Sequence, residues 1–174
     1  MKELLVVVDM QTDFVNGALG TEEAVNIVEN VVKKVKEAKK CGKDIVFTMD
    51  THGRNYLETQ EGRKLPVPHC MKGTEGWKII PELQSEIQGA AVLEKPSFGS
   101  GELARLAEEN GYDRIQLTGV CTDICVISNA LLLKTALPEA EISVDASCCA
   151  GVTPESHKNA LEAMKMCQIQ IENA

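Results

Sequence analysis

Short apolar, β-branched runs recur along this chain with amphipathic stretches between them. The runs fall at residues 4–8, 44–48, 91–93, 114–117, 141–144 and, more weakly, 169–171. Runs this short and this continuously apolar suit strands buried on both faces. Their alternation with helical stretches predicts a parallel sheet covered by helices on each side. The helices are predicted over 21–40, 101–110, 122–137 and 154–166, with a short one at 79–84. Thr21 supplies an N-cap to the first, and Thr153-Pro154 places a cap and a first-turn proline at the start of the last. The expected fold is α/β: one three-layer α/β/α domain spanning residues 1–174, built on a doubly wound parallel sheet of about six strands. Residues 51–77 break the rhythm, with no period and scattered glycine and proline. A long aperiodic loop that follows a strand inside a compact domain is usually functional.

Composition narrows the field. With 174 residues and 44% hydrophobic content, the chain can bury one good core and is short for two. A formal net charge of −8 argues against nucleic acid, because phosphate binding needs a basic face. The lysines of residues 33–40 alternate with Val35 and Ala38 at helical spacing and read as a solvated helix face. No apolar run approaches the roughly 20 residues a membrane span needs, and the N-terminus lacks a signal-peptide layout, so a cytoplasmic protein is expected. Seven cysteines, an odd number without regular spacing, read as reduced thiols. Cys148 and Cys149 are expected to pack against the sheet, and His157 to sit on the exposed start of the last helix.

Ligands of open α/β sheets bind beyond the carboxyl ends of the strands, where Asp9, Asp50, Lys95 and the turn from Cys121 to Cys125 should converge. Gly119 permits a tight turn after the fourth strand, and Cys125 follows in the first turn of the predicted helix. The macrodipole and free N–H groups there would favour a thiolate. The same residue also reads as an inert buried thiol. Asp9 ends an apolar strand, either as a functional carboxylate or as a cap of the next turn. Lys95 is either an active amine or a snorkelling surface residue. An acid, an amine and a thiol at three strand ends together make a nucleophile-activation set.

These residues carry a resemblance over essentially the whole chain. Val8-Asp9-Met-Gln-Thr-Asp-Phe14, Glu94-Lys95-Pro-Ser-Phe98 and Gly119-Val-Cys-Thr-Asp-Ile-Cys125-Val126 resemble, in order, the three motifs of the isochorismatase-like cysteine hydrolases, nicotinamidase branch. The resemblance implies that Asp9, Lys95 and Cys125 are the catalytic triad. It further implies a non-proline cis peptide before Cys121, and an oxyanion hole made by the backbone N–H groups of Cys121 and Cys125. Isochorismatases proper lack the nucleophilic cysteine, so its presence points to C–N hydrolysis through a thioester.

Nicotinamidases also share an Asp-x-His pair and a later Pro-His, matched here by Asp50-Thr51-His52 and Pro68-His69. Asp50, His52 and His69 are therefore expected to hold one divalent ion, zinc first, with manganese or iron also compatible. The usual third histidine is missing. Glu61 resembles the carboxylate of members with a longer loop and is preferred, with Glu58, at the direct-count position, as the alternative. Phe14, Gln11 and Trp77 are expected to contact a flat substrate. The implied partner is a small amide, with neither nucleic acid nor membrane; a homo-oligomer is left open. Two rivals stand beside this reading: another cysteine hydrolase of the superfamily acting on carbamoyl or ureido substrates, and a non-catalytic thiol- and metal-binding protein.

Overall fold

The computed structural model describes residues 1–174. Six strands, β1 (Glu3–Val8), β2 (Asp44–Asp50), β3 (Ala91–Lys95), β4 (Arg114–Val120), β5 (Glu141–Ala150) and β6 (Gln170–Glu172), form one sheet in the order β3-β2-β1-β4-β5-β6. Every neighbouring pair is parallel. The winding direction reverses between β1 and β4, which places a topological switch point at the centre of the sheet.

Each face of the sheet takes alternate residues of β1. Leu5 and Val7 pack with Val31, Val35 and Ala38 of the helix Val28–Lys40, while Leu4, Val6 and Val8 face the opposite layer. That layer contains Leu103 and Ala107 of Gly101–Asn110, Ala130 and Leu133 of Ile127–Ala136, and Leu161 and Met164 of Pro154–Met166. Burial on both faces is why the strand reads as an unbroken apolar run. In chain order the helices are α1 (Thr12–Val15), α2 (Glu22–Asn26), α3 (Val28–Lys40), α4 (Gln60–Lys64), α5 (Gly101–Asn110), α6 (Ile127–Ala136) and α7 (Pro154–Met166). Thr21, Ser100 and Thr153 cap α2, α5 and α7 through their hydroxyls, and Gly111 ends α5 in a left-handed conformation.

Four expectations need correction. The helix expected over 21–40 is two helices, broken at Ile27. Ala24, Ile27, Val31, Val35 and Ala38 are all buried and keep helical spacing across the break, so the apolar period does not register it. The helix expected from residue 122 begins at Ile127, after one wide turn in which the Val126 N–H donates to the Cys121 carbonyl at 3.0 Å. The helix expected at 79–84 is a 3-10 segment, Pro81–Glu86. The loop 51–77 contains a 3-10 turn, Tyr56–Glu58, and α4; Thr59 caps α4, and the Tyr56 hydroxyl donates to the Leu65 carbonyl at 2.8 Å.

Candidate active site

Asp9 leaves β1 with φ 50°, a left-handed conformation that aspartate tolerates better than most residues. Its N–H donates to the Thr48 carbonyl at 3.2 Å, and its Oδ1 accepts from the Thr48 hydroxyl at 2.7 Å. Gly119 brings β4 close beside it. At φ 111°, a Cβ on residue 119 would lie 2.1 Å from the Val8 carbonyl oxygen, so any side chain there would drive the two strands apart. The Val120–Cys121 peptide that follows is cis, and the wide turn then folds Cys125 back over the strand ends.

The result is a buried polar triangle. The Lys95 Nζ lies 2.7 Å from Asp9 Oδ2 and 3.4 Å from Cys125 Sγ. It also donates to the Ser97 carbonyl at 2.9 Å and approaches Asp50 Oδ1 at 3.5 Å. Asp9 and Lys95 are fully buried, and Cys125 is 5% exposed. Asp9 Oδ2 faces the ammonium and Oδ1 the Thr48 hydroxyl, so both carboxylate oxygens are held in place.

Burial pushes the Asp9 carboxyl up, and the adjacent Lys95 charge only partly offsets it. The Cys125 thiol is pushed well above its ordinary value, first by burial and then by the Asp9 carboxylate. Burial works against the Lys95 charge, but Asp9, Cys125 and Asp50 outweigh it and hold the ammonium protonated. This corrects the sequence expectation of a standing thiolate: Cys125 lies in a wide turn, not at the end of a regular helix, and faces carboxylates. Burial and the neighbouring carboxylates favour the thiol over the thiolate, and Asp9 is the carboxylate that acts most strongly on it.

Beside the triangle, one ligand-type atom from each of Asp50, His52, Glu61 and His69 falls within 4.8 Å of the others. Asp50 Oδ2 is 2.8 Å from His52 Nε2 and 3.4 Å from His69 Nε2, and Glu61 Oε1 is 3.7 Å from each. His69 Nδ1 donates to the Val67 carbonyl at 2.8 Å, which leaves the Nε2 lone pair aimed at the group. Tyr56 packs edge-on against both imidazoles. Burial alone would raise the Asp50 carboxyl, but the two histidines and Lys95 hold it far below the carboxylate range. Two imidazole nitrogens and two carboxylate oxygens, three of the four residues being buried, form a donor set that fits one divalent transition ion. Glu58 lies outside this group, exposed on the 3-10 turn.

Both groups open into a cavity of about 270 Å³. Phe14, Leu19, Leu65, Phe98, Ile124 and Val152 form its walls, and Asp50, Glu61, His69 and Cys125 contribute polar lining. Phe14 also packs against His69 with ring centroids 5.4 Å apart. Gln11 and Trp77 do not line the cavity. The Gln11 amide donates to the Asp50 and Trp77 carbonyls and accepts from the Asp50 N–H at 2.7 Å, bracing the β2 end from behind. The Trp77 indole donates to the Thr51 hydroxyl at 2.9 Å. Cys148 and Cys149 are buried away from the cavity, as expected. His157 is half-buried rather than exposed, its Nδ1 paired with the Thr122 hydroxyl at 2.7 Å. Of the apolar walls, sequence reasoning found Phe14 and missed the rest; it also missed the fully buried Asn129, four positions after Cys125 in α6.

The isochorismatase domain pattern matches residues 3–174. The chain belongs to the isochorismatase family. The nicotinamidase/pyrazinamidase of Mycobacterium tuberculosis is 25% identical over 182 residues, with 96% of each chain covered. The crystal structure of the pyrazinamidase of Pyrococcus horikoshii in complex with zinc superposes with a TM-score of 0.84 at 30% identity, covering 98% of both chains. The N-carbamoylsarcosine amidase of Thermoplasma acidophilum also superposes with a TM-score of 0.84, at 29% identity, covering 99% of this chain and 96% of that one. This member of the family is an amide C–N hydrolase of the nicotinamidase type. No helix is long and apolar enough to cross a membrane.

Proposed function

We propose that this chain is a metal-assisted cysteine amidase that converts nicotinamide, or a close heteroaromatic analogue, to the acid and ammonia. The observation that carries the reading is the Asp9–Lys95–Cys125 triangle opening, beside the Asp50/His52/Glu61/His69 group, into one small apolar cavity. A volume of about 270 Å³ lies at the low end for small-molecule sites and suits a single ring.

Asp9 Oδ2 takes the Cys125 thiol proton as the sulfur attacks the carboxamide carbon, and Lys95 holds its charge between the two. The tetrahedral oxyanion is met by the N–H groups of Cys121 and Cys125, of which that of Cys121 has no backbone partner. Each such donor is worth roughly 3–4 kcal/mol. Asp9 then passes the proton to the departing nitrogen, ammonia leaves, and a Cys125 thioester remains. Water attacks the thioester with Asp9 again accepting a proton, and release of the acid restores the thiol. A divalent ion held by Asp50, His52, Glu61 and His69, zinc by preference, would supply a positive site to orient the ring nitrogen. Seven unpaired cysteines suit work in a reducing cytoplasm.

The carbamoyl-cleaving alternative has a relative of equal TM-score to support it. Against it, no lysine or arginine lines the cavity, so apart from the proposed metal ion no cation is there to pair the carboxylate of an N-carbamoyl amino acid. Ammonia release by the zinc-loaded protein, with nicotinamide, pyrazinamide, urea and N-carbamoylsarcosine in parallel, tests the reading. Turnover of the two aromatic amides is expected. Turnover of N-carbamoylsarcosine alone would overturn it.

A further inference from the structure

The loop between β3 and α5 presents the Ser97 carbonyl to the Lys95 ammonium at 2.9 Å, yet residues 96–98 are exposed and form no backbone hydrogen bonds with one another. Nothing within the loop fixes that carbonyl. Asn129, in the first turn of α6 and fully buried, reaches across to the residues that follow Ser97. Its Oδ1 accepts from the Ser100 N–H at 2.9 Å, and its Nδ2 donates to the Phe98 carbonyl at 3.3 Å and to the Cys125 carbonyl at 2.8 Å. Ser100 N–H can only donate and the two carbonyls can only accept, so the amide has one orientation that satisfies all three. A single side chain therefore ties the stretch of loop just after Ser97, from Phe98 to Ser100, to the backbone of the cysteine.

We propose that Asn129 is a positioning residue that sets the placement of the Lys95 ammonium against the Cys125 thiol. The proposal rests on the triad reading given above. Three hydrogen bonds at one rigid amide couple the two segments, and a Cβ on residue 99 would lie 2.6 Å from Leu132 Cδ1, so the loop runs close over α6 there. Without the amide, the Ser97 carbonyl is free to swing to solvent. Lys95 then loses the fixed acceptor that, together with Asp9, aims its remaining N–H toward the sulfur.

Asn129→Leu keeps the shape and removes the bonds. Asn129→Thr keeps a hydroxyl able to reach back one turn to the Cys125 carbonyl but drops both bonds to the loop. It serves as the second variant should the first not fold. In the zinc-loaded enzyme with nicotinamide, each is expected to lower kcat by about 10- to 100-fold while KM changes less than about threefold, the pattern of a lost transition-state interaction. Iodoacetamide alkylation of Cys125 should slow in the same variants. In a Lys95→Ala background, the Asn129 substitution should add little further slowing, because residues acting through one another are not additive. Loss of thermal stability with kcat and alkylation rate unchanged would reduce Asn129 to a structural residue, and full additivity with Lys95→Ala would equally overturn the proposal. If Lys95→Ala and Cys125→Ala themselves kept activity, the triad reading would be what had failed.

Discussion

The two ends of the sheet carry the same kinds of residue and use them in opposite ways. At the amino end, Glu3 pairs with Lys43 at 2.5 Å and Arg114 with Glu141 at 2.8 Å, all at least 30% exposed. At the carboxyl end, Asp9 pairs with Lys95 with neither side chain exposed. Exposed pairs are worth about 0–1 kcal/mol and are screened by salt, whereas a buried charge left without its partner costs about 3–5 kcal/mol. One end is solvated decoration. The other holds its charges dry, where the proposed mechanism moves a proton between groups that water would otherwise satisfy, and it can do so only while every partner is present.

The sharpest way to break this comparison is at the thiol. Cys125→Ala should lower ammonia release from nicotinamide by about four orders of magnitude or more and remove the alkylatable thiol of the site. Cys121→Ala should cost less than about tenfold, since the proposed contribution of that residue is its backbone N–H. Equal losses in the two variants would refute the assignment of the nucleophile.

Next in size are Asp9→Asn and Lys95→Ala. Each should reduce kcat by about 10³-fold, and the double variant should do little worse, because the proposed mechanism makes the residues one proton-transfer unit. Lys95→Ala should also cost about 3–5 kcal/mol of stability in urea titrations, through the buried carboxylate left behind. A Lys95→Ala enzyme with most of its kcat would make that lysine a buried structural partner of Asp9 with no part in the chemistry.

A smaller effect separates the two glutamates of the loop. Glu61→Gln should weaken zinc binding by roughly one to two decades and raise KM more than it lowers kcat, while Glu58→Gln should leave both alone. Zinc titration of the two variants reads this directly, and the reverse result would move the fourth ligand to Glu58.

The smallest effects belong to the amino end. Lys43→Ala should change stability by less than about 1 kcal/mol with kcat unaltered. Hydrogen bonding to Lys43 holds the Glu3 carboxyl below its usual range. That small contribution is therefore present at neutral pH and is lost as the pH falls through the carboxylate range. A loss at alkaline pH instead, near pH 8, would contradict the pairing.

The sequence reports burial, and the contrast between the ends follows from that. Strand positions and the placement of Asp9, Asp50, Lys95 and Cys125 were legible because a parallel sheet covered on both faces writes itself as apolar runs, each ending where its polar residue begins; the strand order, and with it the switch point between β1 and β4, was not. What escaped is held by contacts without a period. The break at Ile27 leaves the apolar spacing intact. Within the long loop, the 3-10 turn Tyr56–Glu58 and α4 are fixed by the Thr59 cap and the Tyr56 hydroxyl. Gln11 and Trp77 look like ligand contacts in sequence because polar and aromatic residues beside a motif can brace it as readily as touch a substrate. The one available signal for Asn129 was an amide placed where helix α6 should be apolar, four residues beyond the cysteine.

The strand order also decides where the molecule can be divided. All of β1, β2 and β3 precede Gly111, and with them Asp9, Asp50, His52, Glu61, His69 and Lys95, whereas Cys125 follows it. A cut at that exposed turn would yield one fragment with the acid, the amine and the metal donors, and another with the sulfur. On the proposed mechanism neither would cleave an amide alone, so recovered ammonia release would read out fragment reassembly along the seam between β1 and β4.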